Sequence, residues 1–294
     1  MAFARTAALT IVLALGVAPL GARAAEATLE MAPSSAWVVD YAADRCALRR
    51  AFAAGDEQAT LELRQYAPGD NLEVIVVSNI PTRSRRGPRV RFEPDADWYD
   101  PPGAMLLDVA AGHGVMYTDT LQPTALKPSG KPYAPWSDQD RDAREASITG
   151  LTLAGPFEPT LTLATGRMRQ PMEAMRACLH ELVTHWGLDA TAQDTLSRKV
   201  MPIDQMGWAR QTMDAYPTDM LRAGKSARLP IRVLVGTDGK PTACVALEGY
   251  AEPSFERAAC ASAMRYSRFE PALDASGQPV ASYFVTTIVY TIGR

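Results

Sequence analysis

The stretch Leu229-Pro230-Ile231-Arg232-Val233-Leu234-Val235-Gly236-Thr237-Asp238-Gly239-Lys240-Pro241-Thr242-Ala243-Cys244-Val245-Ala246-Leu247 decides the fold of the C-terminal part of this chain. Ile231, Val233 and Val235 recur at period two, as one buried face of a strand requires. Asp238-Gly239 supplies the positive φ that a tight hairpin turn needs. Beyond the hairpin, Pro253-Ser254-Phe255-Glu256 opens a helix that runs to about Tyr266, with Phe255, Ala258, Ala259, Ala263 and Tyr266 at helical spacing. Arg268-Phe269-Glu270-Pro271-Ala272, a Gly277-Gln278-Pro279-Val280 turn and a closing strand over residues 281–292 complete the unit. In that strand Phe284, Ile288, Tyr290 and Ile292 are the stronger candidates for the core face, which turns Tyr283, Val285, Thr287 and Val289 outward.

The ordered set of Tyr216-Pro217, the Val233 to Pro241 hairpin, Arg268-Phe269-Glu270-Pro271-Ala272 and Gly277-x-Pro279-Val280 resembles the C-terminal domain of TonB-type energy transducers. The resemblance covers roughly residues 208–294. It implies a small α+β unit in the periplasm whose exposed last strand pairs with a short extended segment of an outer-membrane receptor, and it implies no cofactor. It also leaves room for a homodimer formed by exchange of the last strand.

The chain has 294 residues, 47% hydrophobic and 21% charged, enough for two packed domains. Its net charge of −3 gives no general attraction to nucleic acid or anionic lipid. The basic run Thr82-Arg83-Ser84-Arg85-Arg86 is followed by Glu93, Asp95, Asp97 and Asp100 and reads as a charge-balanced surface loop. At the N-terminus, Arg5, the apolar run over residues 7–20 and Ala22-Arg23-Ala24 have the layout of a secretory signal. Residues 1–24 are therefore expected to be cleaved, since the run is short of the ~20 residues that span a bilayer. A retained inner-membrane anchor is the alternative.

Export places the four cysteines where disulfides persist. Three connectivities are open to them. Pairing within domains gives Cys46–Cys178 and Cys244–Cys260, and the competitor is four buried free thiols.

Residues 25–200 read as a β-rich, sandwich-like domain with a C-terminal helix. The strand candidates are Trp37 to Tyr41, Leu61 to Arg64, Leu72 to Val77, Arg89 to Phe92, Met105 to Val109 and Ile148 to Leu153, bounded by Gly, Pro, Asp or Asn. A helix over about Pro171 to Trp186 follows, stopped by Gly187, then a short helix around Thr191 to Lys199 and a linker. The proline-rich stretches at 100–103 and 123–135 read as surface loops. They do not form the extended spacer between domains that a full transducer uses to cross the periplasm.

Several patterns imitate catalytic motifs and do not meet their geometry. His180 and His185 are five residues apart, about 140° around a helix, so both cannot face one Zn²⁺. His113, within Gly112-His113-Gly114, reads as a turn residue. Asp138-Gln139-Asp140-Arg141-Asp142 lacks the glycine and the bidentate glutamate of a calcium loop and reads as the acidic start of a helix. Gly224-Lys225-Ser226 lacks the first glycine of a phosphate loop. No elbow sequence frames a serine nucleophile. Metal and catalytic sites are therefore not expected. The expected function is that of an exported, non-enzymatic protein-binding module linked to envelope transport. Its binding edge would be the last strand, with Tyr283, Val285, Thr287 and Val289 tuning partner choice. The alternatives are an anchored transducer and, behind it, an enzyme whose site in the N-terminal domain is not recognisable.

Overall fold

The computed structural model describes residues 27–82, 87–127, 137–247 and 251–292. The expected signal segment and the basic run at 83–86 lie outside the described residues.

Ten strands build the N-terminal part: β1 (Thr28–Pro33), β2 (Val38–Tyr41), β3 (Cys46–Ala54), β4 (Glu57–Gln65), β5 (Leu72–Ser78), β6 (Arg89–Glu93), β7 (Met105–Val109), β8 (Gly112–Asp119), β9 (Gly150–Ala154) and β10 (Thr160–Leu163). They follow one hydrogen-bonded path, β6-β9-β10-β1-β3-β4-β5-β8-β7, with β2 laid on β3. The path folds over at β1, which pairs in parallel with β10 through Thr28 to Met31 and antiparallel with β3 through Ala32 and Pro33. Inward side chains of both arms meet in one core, among them Phe92, Leu151 and Leu161 from one arm and Leu48, Leu63 and Val76 from the other. The sandwich-like expectation describes this arrangement.

Helix α1 (Asp138–Ser147) starts where the acidic cluster was read, and the Ser137 hydroxyl accepts the Asp140 N–H at 3.1 Å as its cap. Helix α2 (Arg169–His185) buries Met172, Met175, Cys178, Leu179, Leu182 and Val183 against the sheet. A short α3 (Ala190–Asp194) follows, ending well before Lys199. The Cys46–Cys178 disulfide ties β3 to α2.

His113 is not in a turn. It lies in β8, paired with Ser78 of β5. Its flanking glycines are there because a Cβ would sit 2.2 Å from the Ser78 carbonyl at Gly112 and 2.4 Å from that of Val76 at Gly114.

The C-terminal part contains β11 (Met201–Pro202), α4 (Gln205–Asp214), α5 (Thr218–Arg222), β12 (Ala227–Val235), β13 (Pro241–Ala246), α6 (Pro253–Tyr266), β14 (Phe269–Glu270), β15 (Ala272–Leu273), β16 (Pro279–Val280) and β17 (Ser282–Tyr290). Strands β13-β12-β17 form an antiparallel sheet, with α6 across one face and Cys244–Cys260 joining β13 to α6. Leu229, Ile231, Val233 and Val235 of β12 meet Phe255, Ala259 and Ala263 of α6 in a second core, which also draws in Leu196 and Val200. Tyr266, placed on the core face by helical spacing, is instead partly exposed at the end of α6.

Each element of the C-terminal signature has a packing reason. Gly239 has φ of 74°, and its carbonyl accepts the Phe269 N–H at 2.9 Å, an approach that a Cβ would block. Phe269 packs on Trp208 and Phe284. Tyr216 stands edge-on to Phe255 and Tyr290 and donates its hydroxyl to the Lys225 carbonyl at 2.5 Å.

Candidate functional site

Strand β17 is the edge of its sheet. It pairs with β12 from Ala227↔Tyr290 to Val235↔Ser282, and among the described residues no strand pairs with its other side. The backbone direction of each residue follows from the register. The Leu247 N–H donates to the Pro230 carbonyl at 2.9 Å, so the even-numbered residues of β12 aim their backbone groups at β13 and the odd ones at β17. Odd β12 residues face even β17 residues, as in Leu229↔Ile288 and Val233↔Phe284. The N–H and C=O groups of Tyr283, Val285, Thr287 and Val289 therefore point to the open edge. The Ala281 carbonyl, of the same parity, does so as well and accepts the Gln193 side-chain amide at 3.0 Å.

The side chains divide as the alternation predicts. Phe284, Ile288 and Tyr290 pack into the second core. Tyr283, Val285 and Thr287 are on the opposite face, half-buried, and Val289 is 48% exposed. That face does not look into open solvent along its whole length. Tyr283 stands edge-on to Trp186 at 5.1 Å, and the Arg232 guanidinium lies 4.0 Å over the same indole. Arg228 reaches Thr118 at 3.4 Å, and the Ser282 hydroxyl bonds Gln193 at 2.5 Å. Burial, and then the charge of Asp194, push the Tyr283 phenol up to about 12, so it remains a donor at neutral pH.

Two contiguous clefts lie between this face and the β4–β5 connection, with volumes of about 700 and 640 Å³. They share Gln65, Pro68, Gly69, Leu72 and Tyr283, so Tyr283 stands between them. The first is walled by α1 and α2, including Glu145, Arg176 and His180; the second reaches Val285 and Thr287. What sequence reading missed is this second wall. Trp186 read as a residue of a helix face, and nothing in the local pattern of Arg232 on β12 marks the indole it covers.

The residues of the rejected motifs sit apart from this edge or in ordinary structure. Helix α2 is continuous across His180 and His185. His180 lies 4.0 Å from Asp194, and His113 lies 3.4 Å from Asp108. Gly224 closes the turn after α5 and does not precede a helix.

Residues 213–292 match the family model described as the Gram-negative bacterial TonB protein C-terminal. No curated protein matches the chain. No helix among the described residues is long and apolar enough to cross a membrane. Domains of the matched family face the cell envelope and act through contacts with other proteins. With the hairpin, the crossing helix and the last strand in place, the matched residues 213–292 form a TonB C-terminal domain within the chain.

Proposed function

We propose that the protein is an exported periplasmic binding module that takes an extended segment of an outer-membrane receptor, or of another envelope protein, by strand addition at β17. The observation that carries this reading is the parity of β17. Four residues in alternation, Tyr283, Val285, Thr287 and Val289, turn their backbone groups to an edge that no described strand covers. An incoming strand would gain backbone hydrogen bonds there, each worth about 0.5–1.5 kcal/mol net. Its alternate side chains would enter the clefts beside Tyr283 and Val285, so the N-terminal part would help to choose the partner. No cofactor enters this function, and the role is one of binding, not catalysis.

Two proline substitutions test it. Val285→Pro removes an N–H that faces the open edge and leaves the β12 ladder complete. The folded variant should lose partner capture from an envelope extract by at least about tenfold, one lost contact plus the ring's obstruction of the edge. Thr286→Pro removes an N–H that faces β12 and should instead lower the melting temperature. Unchanged capture by folded Val285→Pro would remove the strand-addition reading. Capture of a second copy of this chain alone would assign the edge to a homodimer. Recovery of a species beginning near Ala25 in the periplasmic fraction accompanies the proposal; a full-length species held in the inner membrane would favour the anchored transducer.

A further inference from the structure

At the end of β8, the N-terminal part seals a lysine against an aspartate. Asp119 ends β8, and Lys127 follows the single 3-10 turn Thr124–Leu126. The Lys127 Nζ lies 2.7 Å from Asp119 Oδ1, with the two side chains 1% and 0% exposed. Aromatic rings close over the amine: Tyr99 at 4.9 Å and Phe92 at 5.4 Å. The nearby Arg144 acts on the pair through its charge, while its hydrogen bonds go elsewhere: both terminal nitrogens to Asp95, at 2.8 Å each, and Nε to the Leu121 carbonyl. Among the described residues, Asp119 Oδ2 has no hydrogen-bond partner, and neither has the buried hydroxyl of Tyr117, two residues earlier on the same face of β8.

An ion pair in such a site loses the hydration of both charges and regains it only through its own attraction and further hydrogen bonds. Here one carboxylate oxygen gets none. Burial pushes the Asp119 carboxyl up and the Lys127 ammonium down, each against the pull of its partner's charge. Both shifts run in the direction of proton transfer from ammonium to carboxylate, toward a neutral amine against a neutral carboxylic acid. Burial, and then the charge of Asp119, push the Tyr117 phenol well above its ordinary value, so it stays protonated.

We propose that Lys127 and Asp119 condense into an amide cross-link that ties the end of β8 to the 3-10 turn. The Nζ lone pair attacks Asp119 Cγ, forming the C–N bond and a tetrahedral centre. A proton passes from nitrogen to the departing hydroxyl, the C–O bond breaks, and one water leaves. Nothing is oxidised or reduced, and no co-reactant is consumed. The dry aromatic lining disfavours the return of water, which protects the product from hydrolysis.

The test uses the whole protein, reduced, denatured and treated with an amine-acetylating reagent. Lys127 and Lys131 both precede proline, so trypsin leaves residues 92–141 as one peptide carrying both partners. The proposal predicts that this peptide is lighter by one water, that Lys127 is not acetylated, and that backbone fragments are missing between Asp119 and Lys127. Lys127→Arg should restore the lost water. If that variant does not fold, acetylation of the unsubstituted protein decides alone. A peptide of full mass overturns the proposal. A peptide lighter by one water with Lys127 acetylated also overturns it, since a succinimide at Asp119 would then account for the loss.

Discussion

Glu62 is gripped by two guanidiniums, with Arg49 Nε 2.6 Å from one carboxylate oxygen and Arg64 Nε 2.7 Å from the other. Burial alone would push its carboxyl up, but the hydrogen bonds and charges of Arg49 and Arg64 outweigh it and hold the group below its ordinary value of 4.5. A folded-state value below the unfolded one contributes stability that is complete above the unfolded value and is lost as pH falls through the folded one. Glu62→Gln should therefore cost about 2 kcal/mol at pH 7, the scale of a charge-assisted hydrogen bond. The gap between variant and parent should narrow toward pH 3, as followed by urea melts at each pH. Residue-level reading of the sequence succeeds where the residue acts on its own backbone or its near neighbours, as with Gly239 at the hairpin tip or the acidic cluster of Asp138, Asp140 and Asp142 at the start of α1. It fails where a residue answers to distant chain. Gly112 and Gly114 look like a turn in isolation and are strand glycines because β5 passes too close for a Cβ. Arg232 reads as an ordinary outward residue of a strand, and only the fold brings Trp186 beneath it.

At the scale of elements, each disulfide pins one helix to one strand: α2 to β3, and α6 to β13. The sequence separations are 132 and 16 residues. If constraint of the unfolded chain dominates, the longer loop contributes about 5 kcal/mol and the shorter about 3 kcal/mol. Replacing Cys46 and Cys178 together by alanine should thus lower stability more than replacing Cys244 and Cys260, as read by chemical denaturation of each double variant. The reverse order would show that the chain-entropy account does not govern here. Alternation and turn chemistry made most elements legible. Strands β2, β5, β6, β7 and β9 each largely coincide with an apolar run bounded by turn residues, β4 begins four residues before its expected run, and α2 and α6 begin and end within two residues of their sequence limits. Strand β3 was passed over, although Gly55-Asp56 between Ala54 and Glu57 is a two-residue hairpin signal. Its small and charged residues, Ala47, Arg49, Arg50 and Ala51, break the apolar rhythm on which the reading depended. Strand β1 was passed over as well. Its parallel pairing with β10 joins residues far apart in sequence, which no local pattern announces.

For the whole molecule, the two cores are separate, yet the sheet face of the C-terminal part rests on the N-terminal part through Trp186, Tyr283, Arg232 and Gln193. The contact is partly polar, and two clefts lie beside it along β17. This contact covers the side chains of one end of β17, and among the described residues no strand pairs with the outer edge of β17. The distinction matters because strand addition uses the edge, whereas specificity uses the face. Sequence alone leaves open whether the edge is free or is covered by a partner copy or by the larger domain. Register and packing together show an open edge with a partly covered face, a combination that period-two patterning cannot express.

Amide hydrogen exchange, resolved residue by residue along β17 in the whole free protein, tests the central claim most directly. The account predicts alternation: the N–H groups of Phe284, Thr286 and Ile288 exchange slowly because they bond to β12, and those of Val285, Thr287 and Val289 exchange at least about a hundredfold faster. Addition of the captured segment should slow the second set and leave the first unchanged. Uniformly slow exchange along β17 in the free protein would contradict the account, because the edge would then already be covered.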